Sequence, residues 1–237
     1  MAITLVSSGA LEGAALDGGD VTLTFPGGVA EGDVVYVWGG HDRGAGETTR
    51  DAAINTSGYT TIYEDATDFH QYTFIVARKV MGPTPDSDVV CEGGGDASEG
   101  VAYCAYILRG VDTGTPEDAT RTVAADGSTN PNPPAITTVT NGAWVLTLVG
   151  SSVSDASVTA PSGYGNQVDV NADDTRNSTV AGATLEKATA GAEDPGTWTN
   201  WGNSRWQAVT VAVRPATGAS GGKPWPHYEL LRHRRMA

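Results

Sequence analysis

Cysteine is nearly absent from this chain: Cys91 and Cys104 are the only two in 237 residues. Two thiols cannot make the disulfide framework of a small secreted scaffold, and their spacing excludes the C-x-x-C pattern of zinc and dithiol sites. They read as small core hydrophobes, and folding in a reducing cytoplasm would leave them as free thiols. Histidine is scarce too. Only His41 and His70 precede the C-terminal segment, and neither has a His or Cys partner at ligand spacing, so both read as lone surface histidines. No Gly-x-Ser-x-Gly elbow, P-loop or dinucleotide fingerprint occurs, and Gly93-Gly94-Gly95 opens no helical pattern and reads as a tight turn.

Basic residues are also few: 14 Lys plus Arg face 28 Asp plus Glu, a net charge of −14. A surface so acidic opposes general affinity for nucleic acid or an anionic membrane. No apolar run approaches the ~18 residues of a membrane span. Met1 leads directly into the alternation Ile3-Thr4-Leu5-Val6 and not into a leader segment, which predicts synthesis and folding in a cytoplasm.

The acids form no convincing constellation. Asp65 with Asp68 would suit glycoside hydrolysis only if held across a cleft. The stretch Asp169 to Asp174 resembles the opening of a calcium loop, but it lacks the glycine at the sixth position and places Val180 where the last acid belongs. A polar hairpin tip fits it better. Neither a metal nor a cofactor is expected, and the chain is not expected to be an enzyme.

What the sequence has in abundance is strand signal. Apolar runs recur at Asp20 to Phe25, Asp33 to Trp38, Gln71 to Val80, Asp88 to Cys91, Val101 to Leu108, Ala143 to Val149, Val168 to Val170, Thr179 to Leu185 and Trp206 to Val213. Gly, Pro, Asn and Asp clusters separate them, and no segment has helical periodicity. Val34 to Trp38, Val101 to Leu108 and Trp144 to Val149 are apolar on both faces, which predicts central strands covered twice. The fold class is therefore all-β.

The strand signals repeat. Gly32 to Trp38, Ser57-Gly58-Tyr59, Thr73 to Ala77 and Tyr103 to Arg109 are followed, about 105 to 110 residues later, by Gly142 to Leu148, Ser162-Gly163-Tyr164, Thr179 to Ala183 and Val209 to Arg214. Two arrangements fit: tandem small sandwiches, or one pseudo-symmetric sandwich in which each half donates strands to both sheets. The second is favoured, because Asp112 to Thr138 is too rich in Thr, Ala and Pro for a simple linker and contains a candidate edge strand at Thr120 to Ala124. The body then spans residues 1 to 215, with halves of about 1 to 112 and 113 to 215.

Beyond Pro215, Ala216 to Gly222 has linker composition, and residues 223 to 237 join aromatics to a basic cluster. Lys223, Arg232, Arg234 and Arg235 against Glu229 give residues 216 to 237 a net +3 and leave −17 for the body. Trp225, Tyr228, Leu230, Leu231, Arg232, Arg234 and Arg235 are the expected contacts of a docking tail, since aromatics and arginine anchor interfaces. The alternative is a solubilising tail. A second candidate surface is Trp198, Trp201 and Trp206, which with Asn200 and Asn203 could stack on sugars; otherwise they plug the end of the sandwich or lie between copies.

The strand at Gly32 to Val35, the turns Ser57 to Tyr59 and Pro161 to Tyr164, and the closing segments Leu108 to Asp112 and Arg214-Pro215 resemble those of a family of tailed-bacteriophage virion proteins, also found in prophages. The resemblance spans roughly residues 20 to 215. It implies a jelly-roll-like antiparallel β-sandwich with an extended C-terminal tail, displayed on a virion as a capsid decoration, head-fibre or tail-associated protein. Its implied partners are other virion proteins and further copies of itself, after synthesis in the bacterial host cytoplasm. The alternative is a carbohydrate-binding module that contacts host glycans.

Overall fold

The structure, a computed structural model, describes residues 1–42, 51–65, 72–95, 98–126, 130–154, 157–173, 175–202 and 205–217. Strands are the only regular elements among them. The first half contributes β1 (Thr4–Ala15), β2 (Val21–Thr24), β3 (Val34–Asp42), β4 (Thr60–Asp65), β5 (Tyr72–Val80), β6 (Asp88–Cys91) and β7 (Val101–Arg109). The second contributes β8 (Thr122–Asp126), β9 (Ile136–Thr137), β10 (Ala143–Ser151), β11 (Gly165–Ala172), β12 (Ser178–Lys187), β13 (Ala192–Glu193) and β14 (Trp206–Val213).

The repeat is exact in topology. One five-stranded sheet has the order β1-β7-β3-β5-β4 and the other β8-β14-β10-β12-β11, with β2-β6 and β9-β13 as two-stranded companions. Adding seven to each label converts one half into the other. All of these strand pairs are antiparallel. The two large sheets share a core, but the expected exchange of strands between them does not occur. Each half builds a complete large sheet from its own strands, because every long apolar strand finds its partners within its own half and no crossing to the other sheet is needed.

Packing gives four layers. Between the large sheets lies a core containing Val34, Tyr36, Trp38, Phe74 and Tyr106 from the first half and Leu146, Leu148, Val180, Val209 and Val211 from the second. The opposite face of the first sheet carries Val35, Val37, Tyr103 and Ile107, covered by Val21, Leu23, Val89 and Cys91 of β2 and β6. The outer face of the second sheet is covered around Trp198, Trp201 and Trp206 and around Ile136. Central strands are thus buried on both faces, which is why their sequences are apolar without alternation.

At the seam between halves, Trp38 donates its indole N–H to the Ala181 carbonyl at 3.0 Å. A Cβ on Gly182 would collide with the Trp38 ring, so glycine is required where the two sheets approach. Tyr72 and Ser178 share a hydrogen bond of 3.0 Å, Ser178 donates to the Gly40 carbonyl at 2.9 Å, and the Gln207 amide donates to the Tyr72 carbonyl at 2.8 Å. Buried polar groups that would cost ~1–3 kcal/mol each if left unpaired instead join the halves.

Candidate functional site

The end of the sandwich that holds Arg214 to Ala216 is a built structure. Val111 bridges Pro215, the Asp112 amide donates to the Arg214 carbonyl at 2.9 Å, and the Ala216 amide donates to the Gly110 carbonyl at 2.7 Å. The Met1 ammonium then donates to the Ala216 carbonyl at 2.6 Å. Each half closes on an arginine that locks this end. Arg109 grips the buried Asp33 carboxylate in a fork of 2.8 and 2.7 Å, and Asp33 also accepts from the Ala30 amide at 2.8 Å. That fork raises the Arg109 pKa above its ordinary value.

In the second half Arg214 donates to Asp118 at 3.3 Å, and Asp118 accepts from the Val139 and Thr140 amides at 2.6 and 3.0 Å. Burial alone would raise the Asp118 carboxyl; the Thr140 hydroxyl, these two amides and Arg214 outweigh it and hold the group below its usual value. Depressions of about 400 and 290 Å³ flank Ala216, bordered by Asn141 and Glu186 on one side and by Glu31 and Arg109 on the other. The expected docking residues Trp225, Tyr228, Leu230, Leu231, Arg232, Arg234 and Arg235 lie outside the described residues.

The three tryptophans proposed as a sugar platform are together, as their spacing suggests, but not on the surface. Trp198, Trp201 and Trp206 are 0%, 5% and 3% exposed. Trp198 and Trp201 meet edge to face at 6.1 Å between ring centroids, and the Trp198 indole donates to the Thr147 hydroxyl at 3.2 Å. Their faces are spent covering the apolar outer side of the second sheet, so no ring face is left for a glycan.

His41 is likewise no surface residue. It ends the apolar run of β3 and is 1% exposed, with its Nδ1 3.9 Å from the equally buried Glu99 carboxylate, which accepts from Arg176 at 3.1 Å. Gly94 makes room for this acid: a Cβ there would overlap the Glu99 carboxylate. The cluster spans both halves, since Glu99 precedes β7 and Arg176 precedes β12, and the two also form a parallel bridge. The sequence signal for it is a charged residue, Glu99, one glycine before the apolar run Val101 to Leu108. His70 and Asp68 lie outside the described residues.

Both thiols are free and buried, and burial pushes each well above its ordinary pKa, a setting for packing rather than reactivity. Asp169 to Ala172 runs along β11, where Asp169 accepts from the Gln167 amide at 2.8 Å. Among the described residues no three His, Cys, Asp or Glu side chains gather as a metal-holding group. Across the sandwich edge, burial first and the Asp169 charge second raise the Glu12 carboxyl.

A cleft of about 510 Å³ opens at the opposite edge, between β4 and the chain entering β8, lined by Thr61, Ile62, Glu117, Ala119, Thr120 and Arg121. Arg78 and the Tyr36 hydroxyl both donate to Glu117 at its base. Tyr63 nearby is pushed up to about 12 by burial and then by Asp65, with Arg121 pulling the other way. No family model matches the chain, and no curated protein or solved structure matches it either.

Proposed function

We propose that this chain is a structural component of a bacteriophage virion, a capsid decoration, head-fibre or tail-associated protein that acts by assembly and surface contact and not by catalysis. The observation that carries the reading is the polarity of the molecule. A body of net −17 is paired with a C-terminal segment of net +3, and Pro215 and Ala216, just before that segment, are fixed at one end of the body. A rigid acidic body with an oppositely charged, aromatic-bearing tether suits a module that stands off a larger assembly while like bodies repel one another. Its partners are other virion proteins and further copies of itself, and its site of action is the virion, after synthesis in the host cytoplasm. The glycan-binding alternative loses its support with the burial of the three tryptophans.

The test compares the full chain with one ending at Pro215, each sedimented with virions or emptied capsids from the same source. The full chain is expected to co-sediment and the shortened one to stay in solution. Equal behaviour of the two, bound or unbound, removes the anchoring role.

A further inference from the structure

Each large sheet has two outer strands. Natural sheets blunt such edges with bulges, charges or covering elements, because an unprotected edge pairs with another strand. Three of the four are interrupted here: the register slips between Leu5 and Ala10 in β1, between Thr61 and Tyr63 in β4, and between Gly165 and Val168 in β11. β8 is different. It runs in unbroken register against β14 from Thr122 to Asp126, contains no proline, and leaves Val123 48% exposed.

The pseudo-symmetry sharpens the contrast. On one side of the sandwich β1 and β11 lie in contact and close it. On the related side β4 and the chain entering β8 stand apart around the cleft. Val123, opposite Val209 in the register, lies on the side of β8 that faces the other large sheet. Charge is divided along this open side. Arg121 stands at the end where β8 begins, while Asp126 and Asp65 stand where β8 and β4 finish.

We propose that β8 is a self-pairing edge: two copies of this chain join antiparallel through β8 about a two-fold axis, uniting their second-half sheets. Antiparallel pairing lays the Arg121 end of one copy against the Asp126 and Asp65 end of the other, whereas parallel pairing would set like charges together. The arrangement is isologous and closes at two copies, so it does not propagate into a fibre. It supplies the surface for the self-association included in the reading above. It rests on that reading only there, since the tail truncation reports attachment to particles independently.

Light scattering and sedimentation equilibrium on the full chain test it. The expected mass is about twice 24.4 kDa at micromolar concentration. Arg121→Glu and Asp126→Arg should each weaken the dimer by ~10-fold or more, and the double exchange should recover most of the loss, which a mere folding defect would not. Antiparallel two-fold pairing also sets one residue of β8 against its own copy. Val123→Cys or Ala124→Cys should therefore cross-link under mild oxidation, while the buried Cys91 and Cys104 stay silent. A monomer at ~100 µM, or a dimer indifferent to the charge variants and without a cross-link, overturns the proposal.

Discussion

Asp118 ties three segments of the second half together, taking the Val139 and Thr140 amides and Arg214 on one carboxylate. Its lowered pKa sets the sign of its contribution: the stabilisation is complete above the ~3.9 of an unfolded aspartate and is lost as pH falls through the lower folded value. Asp118→Asn should therefore cost about 1.5–3 kcal/mol at pH 7, read from urea midpoints, and the gap to the unaltered protein should narrow as pH drops below about 4. A gap constant down to pH 2 would contradict this account. Single residues were also where sequence reading failed most. His41 and the tryptophans have side chains compatible with either surface or core, and only the layer packed over them decides which. Nothing local to Trp201 reports the strand that buries it.

At the scale of elements, protection should follow position in the sheets. Amides in the middle of β3, β7, β10 and β14, flanked on both sides and covered on both faces, should exchange slowest, and those of β4 faster by ~100-fold or more in hydrogen-exchange mass spectrometry. β8 should move from the fast class to the slow one as protein concentration rises, if it pairs as proposed. Comparable rates in β3 and β4 would mean that the edge is more ordered than its packing implies. Strands with strong apolar runs were legible: β6 and β14 fall at the predicted bounds, and β5, β7, β10 and β12 within two residues at each end. β8 appears as an edge strand two residues later than predicted, at Thr122–Asp126. β4, with the sequence Thr-Thr-Ile-Tyr-Glu-Asp, was missed because an outer strand facing solvent carries little hydrophobic pattern. The two-residue strands β9 and β13 exist only through tertiary pairing and leave no sequence trace.

For the whole molecule, the repeat was readable from the recurrence of Ser-Gly-Tyr and the closing arginine, but its partition into one sheet per half was not, since period alone does not say which strands pair. That partition predicts how the body comes apart. Each half alone would expose the seam side of its sheet, with Trp38, Phe74 and Tyr106 or Leu146, Val180 and Val209 uncovered. Chains divided after Gly114 should therefore aggregate when made separately and co-purify as a folded pair when made together; a half that is a soluble monomer with cooperative unfolding would show that the seam is dispensable. The path of the last strand has a mechanical meaning. β14 lies between β10 and β8 and not at a rim, and the chain that follows it continues to pair, Arg214 to Ala216 against Gly110 to Asp112. Tension on a tether there acts along the strand, at right angles to its inter-strand hydrogen bonds. Those bonds must then yield together in shear, on both flanks at once, instead of peeling open one after another.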